Sequence, residues 1–215
     1  MINLRYLILL TFFTSCEKVS YFEDGSKVEY LIKAGRHYSS MEIQDMTGEN
    51  ELKGRLSISQ PEYYHLDRDQ HDWNKAIGFS DCSTVNAFHG KGAILAWRWN
   101  LNEQQSGLGE PYLEFAAYVH NSSDQTRDIK IFEYRKYKSE INAEFQSQPQ
   151  IDFSIKIDPS NHFNYIFELN GESIVMTGDQ GRGCNASVIV GHLHHPWFGG
   201  NKPAPHDINF VINFF

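Results

Sequence analysis

Apolar residues in this chain recur at every second position over short runs, and that alternation narrows the fold more than any other feature. A strand sends successive side chains to opposite faces, so such runs read as half-buried strands. The pattern marks strands at Val28–Ala34, Glu51–Ser59, Lys75–Ser80, Gly92–Asn100, Tyr112–His120, Asp128–Tyr134, Asp152–Ile157, Phe163–Asn170, Glu172–Thr177, Ala186–Val190 and Asp207–Phe215. Turn residues separate them, as in Asn121-Ser122-Ser123-Asp124 and Asp158-Pro159-Ser160-Asn161. Asn170-Gly171, set between two strand patterns, is a strong hairpin signal. Helical periodicity is nearly absent: Ser139–Phe145 suits one or two turns, and Tyr64–Asp72 reads as a polar loop. Many short strands with no linker between them make one all-β domain, a sandwich, jelly roll or barrel.

The same alternation assigns faces. In Tyr112–His120, Leu113, Phe115, Ala117 and Val119 point one way, and Glu114, Tyr118 and His120 the other. Leu95, Trp97 and Trp99 share a face of Gly92–Asn100; Ile94, Ala96, Arg98 and Asn100 take its reverse. In the last strand Ile208, Phe210, Ile212 and Phe214 oppose Asn209 and Asn213. With the apolar sets as the inter-sheet core, Arg98, Asn100, Tyr118, His120 and Asn209 decorate outer sheet faces and are the candidate ligand-binding residues. Planar hydrogen bonders and aromatic rings suit a carbohydrate, whose hydroxyls need donors and acceptors and whose C–H faces stack on rings. Ordinary solvated residues on an outer face are the competing reading.

The first residues carry a different signal. Arg5 supplies a positive start, Tyr6–Phe13 an apolar run with Thr11 its one polar member, and Thr14 and Ser15 the small residues a peptidase needs. The run falls short of the roughly 20 apolar residues of a spanning helix. Phe13-Thr14-Ser15-Cys16 resembles the bacterial lipobox, which implies lipid on Cys16 and a protein anchored in the cell envelope, at the outer membrane or cell surface. The expected organisation is a signal peptide over 1–15, a tether over 16–26 and one domain over 27–215. Of the 215 residues, the 200 that follow the signal can close a sizeable core. With Cys16 committed to lipid, Cys82 and Cys184 are left as a disulfide pair or as two buried thiols. An exported chain permits the bridge, and closing a loop of about 100 residues would contribute roughly 4 to 5 kcal/mol.

Charge limits the partners. The chain holds 19 basic and 27 acidic residues, a net charge of −8, with no basic block. That balance argues against nucleic acid. Aromatic residues make up 14% of the chain, which fits β-sheet faces or carbohydrate contact.

Four segments carry a resemblance: His71–Cys82, Gly92–Asn100, Leu113–Asn121, and finally Trp197–Ile208 with its Phe198-Gly199-Gly200 and Ala204-Pro205-His206-Asp207-Ile208. In this order they resemble exported bacterial proteins with a concanavalin A-like, laminin G/lectin-like jelly roll. The resemblance implies a two-sheet antiparallel sandwich with a polysaccharide lyase-like relationship, and it carries over no site residues. The fold also hosts glycoside hydrolases and alginate lyases, but a Glu-x-Asp-x-x-Glu run, an Arg-x-Glu-Leu-Arg strand and a Gln-Ile-His motif are all missing. Fold alone does not set function.

Two metal readings are weaker. His192, His194, His195, His206 and Asp207 form a candidate cluster, and Asp67, Asp69 and Asp72 could offer oxygens to calcium without EF-hand spacing. No metal or other cofactor is therefore expected, with calcium the one candidate. The sequence supports first a lipid-anchored lectin-like protein that binds a glycan without cleaving it. A polysaccharide lyase or hydrolase on the same face is the alternative, with Arg98 or Asn100 neutralising a carboxylate and Tyr118 and His120 moving protons. A structural or assembly lipoprotein that binds another protein is the third reading.

Overall fold

A computed structural model describes residues 25–39, 44–59, 64, 66–80, 92–101, 107, 109–121, 127–143, 150–178 and 187–215. Cys16, Cys82 and Cys184, and with them the signal, lipid and disulfide readings, lie outside the described residues. The strands are β1 Lys27–Ile32, β2 Glu51–Ser59, β3 Asn74–Ser80, β4 Gly92–Asn100, β5 Tyr112–His120, β6 Arg127–Tyr137, β7 Gln150–Ile157, β8 Asn164–Leu169, β9 Glu172–Thr177, β10 Leu193–His194 and β11 Ile208–Phe214. Among the described residues one α-helix, α1 Lys138–Ala143, follows β6, and a 3-10 helix spans Asp67–His71 within the expected polar loop.

The strands form two antiparallel sheets. One has the order β1-β11-β2-β7-β8-β9, the other β10-β3-β4-β5-β6. The chain crosses between sheets several times, so strands adjacent in a sheet come from distant parts of the sequence. This is the two-sheet jelly-roll sandwich that the resemblance implies, one of the three architectures that the alternation allows. Its core is the set of inward rows: Leu95, Trp97, Trp99, Phe115 and Val119 of one sheet face Leu56, Ile155, Phe167, Phe210 and Phe214 of the other, all nearly inaccessible. Trp97 and Phe210 meet edge to face with ring centroids 6.0 Å apart, and Phe79 and Tyr165 do so at 5.9 Å. Such edge-on packing lets large rings interlock across the roughly 10 Å between packed sheets. The β8–β9 hairpin turns on Asn170 and Gly171, both at positive φ (47° and 87°), the backbone of a tight twisted turn.

Among the described residues one expected strand is absent. Residues 187–190 of the Ala186–Val190 pattern are not a strand. Their hydrogen bonds go to a loop instead: Gly48 N–H donates to the Ile189 carbonyl and Ile189 N–H to that of Glu49. The pairing that continues the five-stranded sheet comes a few residues later, where Leu193 and His194 oppose Phe79 and Gly78.

Candidate functional site

The outer face of the five-stranded sheet gathers four of the five candidate ligand residues. Gly92 opposes His120, Ile94 opposes Tyr118, Ala96 opposes Ala116, Arg98 opposes Glu114 and Asn100 opposes Tyr112. Opposed residues of an antiparallel pair share a side, so Arg98, Asn100, Tyr118 and His120 stand on one surface with Glu114. Asn209 does not join them. It lies in β11 of the six-stranded sheet, between Leu31 and Ser59, on the other outer face of the sandwich. The alternation within its strand assigned the side correctly, but cannot tell which of two sheets a strand enters.

The face is far from an ordinary solvated one. Glu114 and Tyr118 are each 2% exposed, and Asn100 and His120 9%. Trp73, Ile94, Ala96, Ala116 and Tyr118 form a second, small apolar cluster there. Its polar border is self-satisfied. Arg98 Nε donates to Glu114 Oε1 at 2.7 Å, and Asn100 Nδ2 donates to the same oxygen at 3.0 Å. Arg98 Nη1 donates to the His71 carbonyl, and its guanidinium lies 4.2 Å from the Trp73 ring centroid. A planar, weakly hydrated cation is suited to such a stacked, paired position. Arg98, Asn100 and Glu114 therefore hold Trp73 and the 3-10 segment against the sheet. Arg98 is already neutralised by a buried carboxylate, and Glu114 is an ion-pair partner rather than an available acid.

Among the described residues no carboxylate forms such an ion pair with Lys75. Its Nζ donates to the Trp73 carbonyl at 2.9 Å and lies 5.1 Å from the Tyr118 ring centroid. Burial, then repulsion from Arg127, pushes its pKa down to about 8, and Asp72 opposes the shift. Burial also raises the Tyr118 phenol; Arg127 acts against that and Asp72 with it. Arg127 opposes His120 at the start of β6. The face thus combines a half-buried amine, a phenol beneath it, an imidazole and a second cation.

Strict alternation misplaces Lys75. It would align Lys75 with Ile77 and Phe79 on the core side. The structure has a bulge between Lys75 and Ile77, so Lys75 opposes Ala96 on the outer face while Ile77 still opposes Leu95 in the core. A bulge adds one residue and re-aims a side chain. No residue type in Asn74-Lys75-Ala76-Ile77 announces it. The one available hint was a lysine at a position that strict alternation assigns to the core.

The proposed metal ligands are dispersed. His195 packs on the Tyr30 ring, His206 lies near the Tyr64 ring, and Asp207 accepts hydrogen bonds from Ala34 N–H and Lys33 Nζ. Burial pushes the His195 pKa down. Among the described residues no group of three or more His, Cys, Asp or Glu is arranged to hold a metal ion.

Neither family models nor curated proteins match this chain. Among solved structures, an alginate lyase from a Chlorella virus is similar at 14% identity and TM-score 0.45, over 92% of this chain and 86% of that one. A GH16 protein from the Bacteroides ovatus mixed-linkage glucan system, in complex with a product, has 11% identity and TM-score 0.44, over 90% and 81%. A β-porphyranase from Bacteroides plebeius has 5% identity and TM-score 0.36, over 88% and 74%. The likeness is too loose to say anything of activity, and the description of this chain as a two-sheet jelly-roll sandwich stands on its own strand order.

Proposed function

We propose that the outer face of the five-stranded sheet binds an acidic polysaccharide, one whose sugar rings carry carboxylates. The observation that supports this most is Lys75. Among the described residues no carboxylate forms an ion pair with it, and its surroundings disfavour its charge. A bound carboxylate would supply the missing partner, and a charge-assisted hydrogen bond in a sheltered site is among the stronger polar contacts. Calorimetry against oligouronates and neutral oligosaccharides of matched length tests it. Acidic oligomers should bind wild type and fail to bind Lys75→Met; equal binding to both proteins would overturn the reading.

A second reading rests on the Lys75–Tyr118 contact. Elimination across a uronate needs a group that neutralises the carboxylate, a base for the ring proton and an acid for the leaving oxygen. An amine titrating near 8 is partly neutral at neutral pH and can take a proton; Arg127 stands near it for the carboxylate, and Tyr118 or His120, 2% and 9% exposed, would have to be uncovered to reach the leaving oxygen. Growth of unsaturated-end absorbance on incubation with polyuronates would establish cleavage; its absence would leave a binding protein. Attachment at the cell envelope through Cys16 belongs to the same proposal. Loss of incorporated labelled palmitate in Cys16→Ala is the expected result, and unlabelled wild type would dismiss it.

A further inference from the structure

The segment Trp197-Phe198-Gly199-Gly200 remains without a role in the site so far. Phe198 is buried in the main core at 1% exposure, which turns its neighbour Trp197 to the opposite side. Trp197 forms an antiparallel bridge with Lys75 on one flank and with Tyr38 on the other. The Lys75 bridge carries both backbone hydrogen bonds, Lys75 N–H to the Trp197 carbonyl at 2.8 Å and the reverse at 2.9 Å. The Tyr38 bridge is framed by Ser39 N–H on the Pro196 carbonyl and Phe198 N–H on the His37 carbonyl. Bridged residues share a side, so Tyr38, Trp197 and Lys75 form a row that continues the outer face past its lysine.

The row ends in an aromatic platform. Tyr38 stacks on Trp197 with ring centroids 5.7 Å apart at 27°, and His37 stacks on Trp197 at 6.1 Å and 30°. His37 Nδ1 lies 3.0 Å from the Phe198 carbonyl oxygen, which fixes the imidazole. Tyr38 is 55% exposed, the most exposed of the large hydrophobic side chains described. Gly199 lets the segment approach this closely, because a Cβ there would collide with the Trp73 carbonyl. An open ring on a rigid backing, set two strand spacings or about 10 Å from Lys75, lies beyond the reach of a single sugar bound at the lysine.

We infer that the Tyr38–Trp197 platform is a second subsite of the proposed glycan site, stacking a pyranose ring of the same acidic oligosaccharide whose carboxylate meets Lys75. It rests on the proposed binding function and adds a length requirement to it. Oligouronates of graded length are titrated into wild type, Tyr38→Ala, Tyr38→Phe and Lys75→Met, with circular dichroism confirming the fold of each. Wild-type affinity should rise with length until the oligomer spans both places. Tyr38→Ala should lose about three- to tenfold for the longer oligomers, the worth of one aromatic contact, and nothing for the shortest. Tyr38→Phe should bind as wild type, because the ring and not the hydroxyl makes the contact. Lys75-dependent binding that Tyr38→Ala leaves unchanged, or weakens equally at every length, would overturn the second subsite alone. Failure of wild type to bind any oligouronate would overturn the function and the subsite together.

Discussion

Replacing Lys75 by methionine should make the protein more stable while removing its ligand. An ordinary lysine titrates at about 10.4, and this one near 8. At 1.36 kcal/mol per pH unit, holding the charge in the folded state costs about 3 kcal/mol. Methionine keeps the length and apolar stem without the charge, so it escapes this cost. The charge-dependent contacts of the amine are already inside that shift, so the further loss is the neutral amine's hydrogen bond to the Trp73 carbonyl, about 1 kcal/mol. The net gain is about 2 kcal/mol, which raises the melting temperature of a chain this size by about 4 to 8 °C. The pH dependence carries the sign. The folded pKa is depressed, so between about 8 and the unfolded value the unfolded chain binds more protons, and stability rises with pH. The cost is fully present below pH 8 and disappears as the lysine neutralises in both states. Urea unfolding of both proteins at pH values from neutral to alkaline reads this directly: the advantage of Lys75→Met should be largest near neutral pH and shrink toward alkaline pH. A variant less stable than wild type at neutral pH, or an advantage independent of pH, would refute the reasoning.

Two more outcomes follow from the packing. Arg98→Met should cost about 3 to 5 kcal/mol because it strands the Glu114 carboxylate, whose side chain is 3% exposed; adding Glu114→Leu to it should recover much of that loss in chemical denaturation, and a double variant no better than the single one would contradict a buried pair. Gly199→Ala should destabilise by about 1 to 3 kcal/mol, because its Cβ meets the Trp73 carbonyl, and should quench or shift tryptophan fluorescence as Trp197 is displaced; a thermal melt matching wild type would remove the close approach from the account.

The strands of both sheets were legible because burial on one face imposes alternation on the sequence. Glu51–Ser59, Gly92–Asn100, Tyr112–His120 and Glu172–Thr177 begin and end where the pattern places them. What alternation cannot carry is the sheet a strand joins. Asn209 reads like Asn100, a polar residue between apolar neighbours, yet they belong to opposite layers. Nor can it foresee a bulge, which is why Lys75 escaped notice and Arg98, flanked by tryptophans, drew attention that its ion pair with Glu114 answers. Exposure was misjudged for a related reason. An outer sheet face is solvated only if nothing lies on it, and the segment that enters β3 through Trp73 lies over it, tied down by Gln70, whose side chain accepts from Leu66 N–H and donates to the Trp99 carbonyl; alternation within β4 and β5 does not show that cover. Local patterns report which side of a strand is apolar; long-range packing decides what the polar side meets.

The central claim is that a ligand carboxylate supplies the Lys75 amine with the ion-pair partner that it lacks among the described residues. Proton linkage tests it most directly. Binding of an oligouronate should raise the Lys75 pKa, so titrations just above pH 8 in buffers of different ionisation enthalpy should report proton uptake, and affinity should fall as pH rises through about 8. Both effects should vanish with a neutral oligosaccharide of the same length. Oligouronate binding with no proton uptake and an affinity flat across that range would contradict the claim.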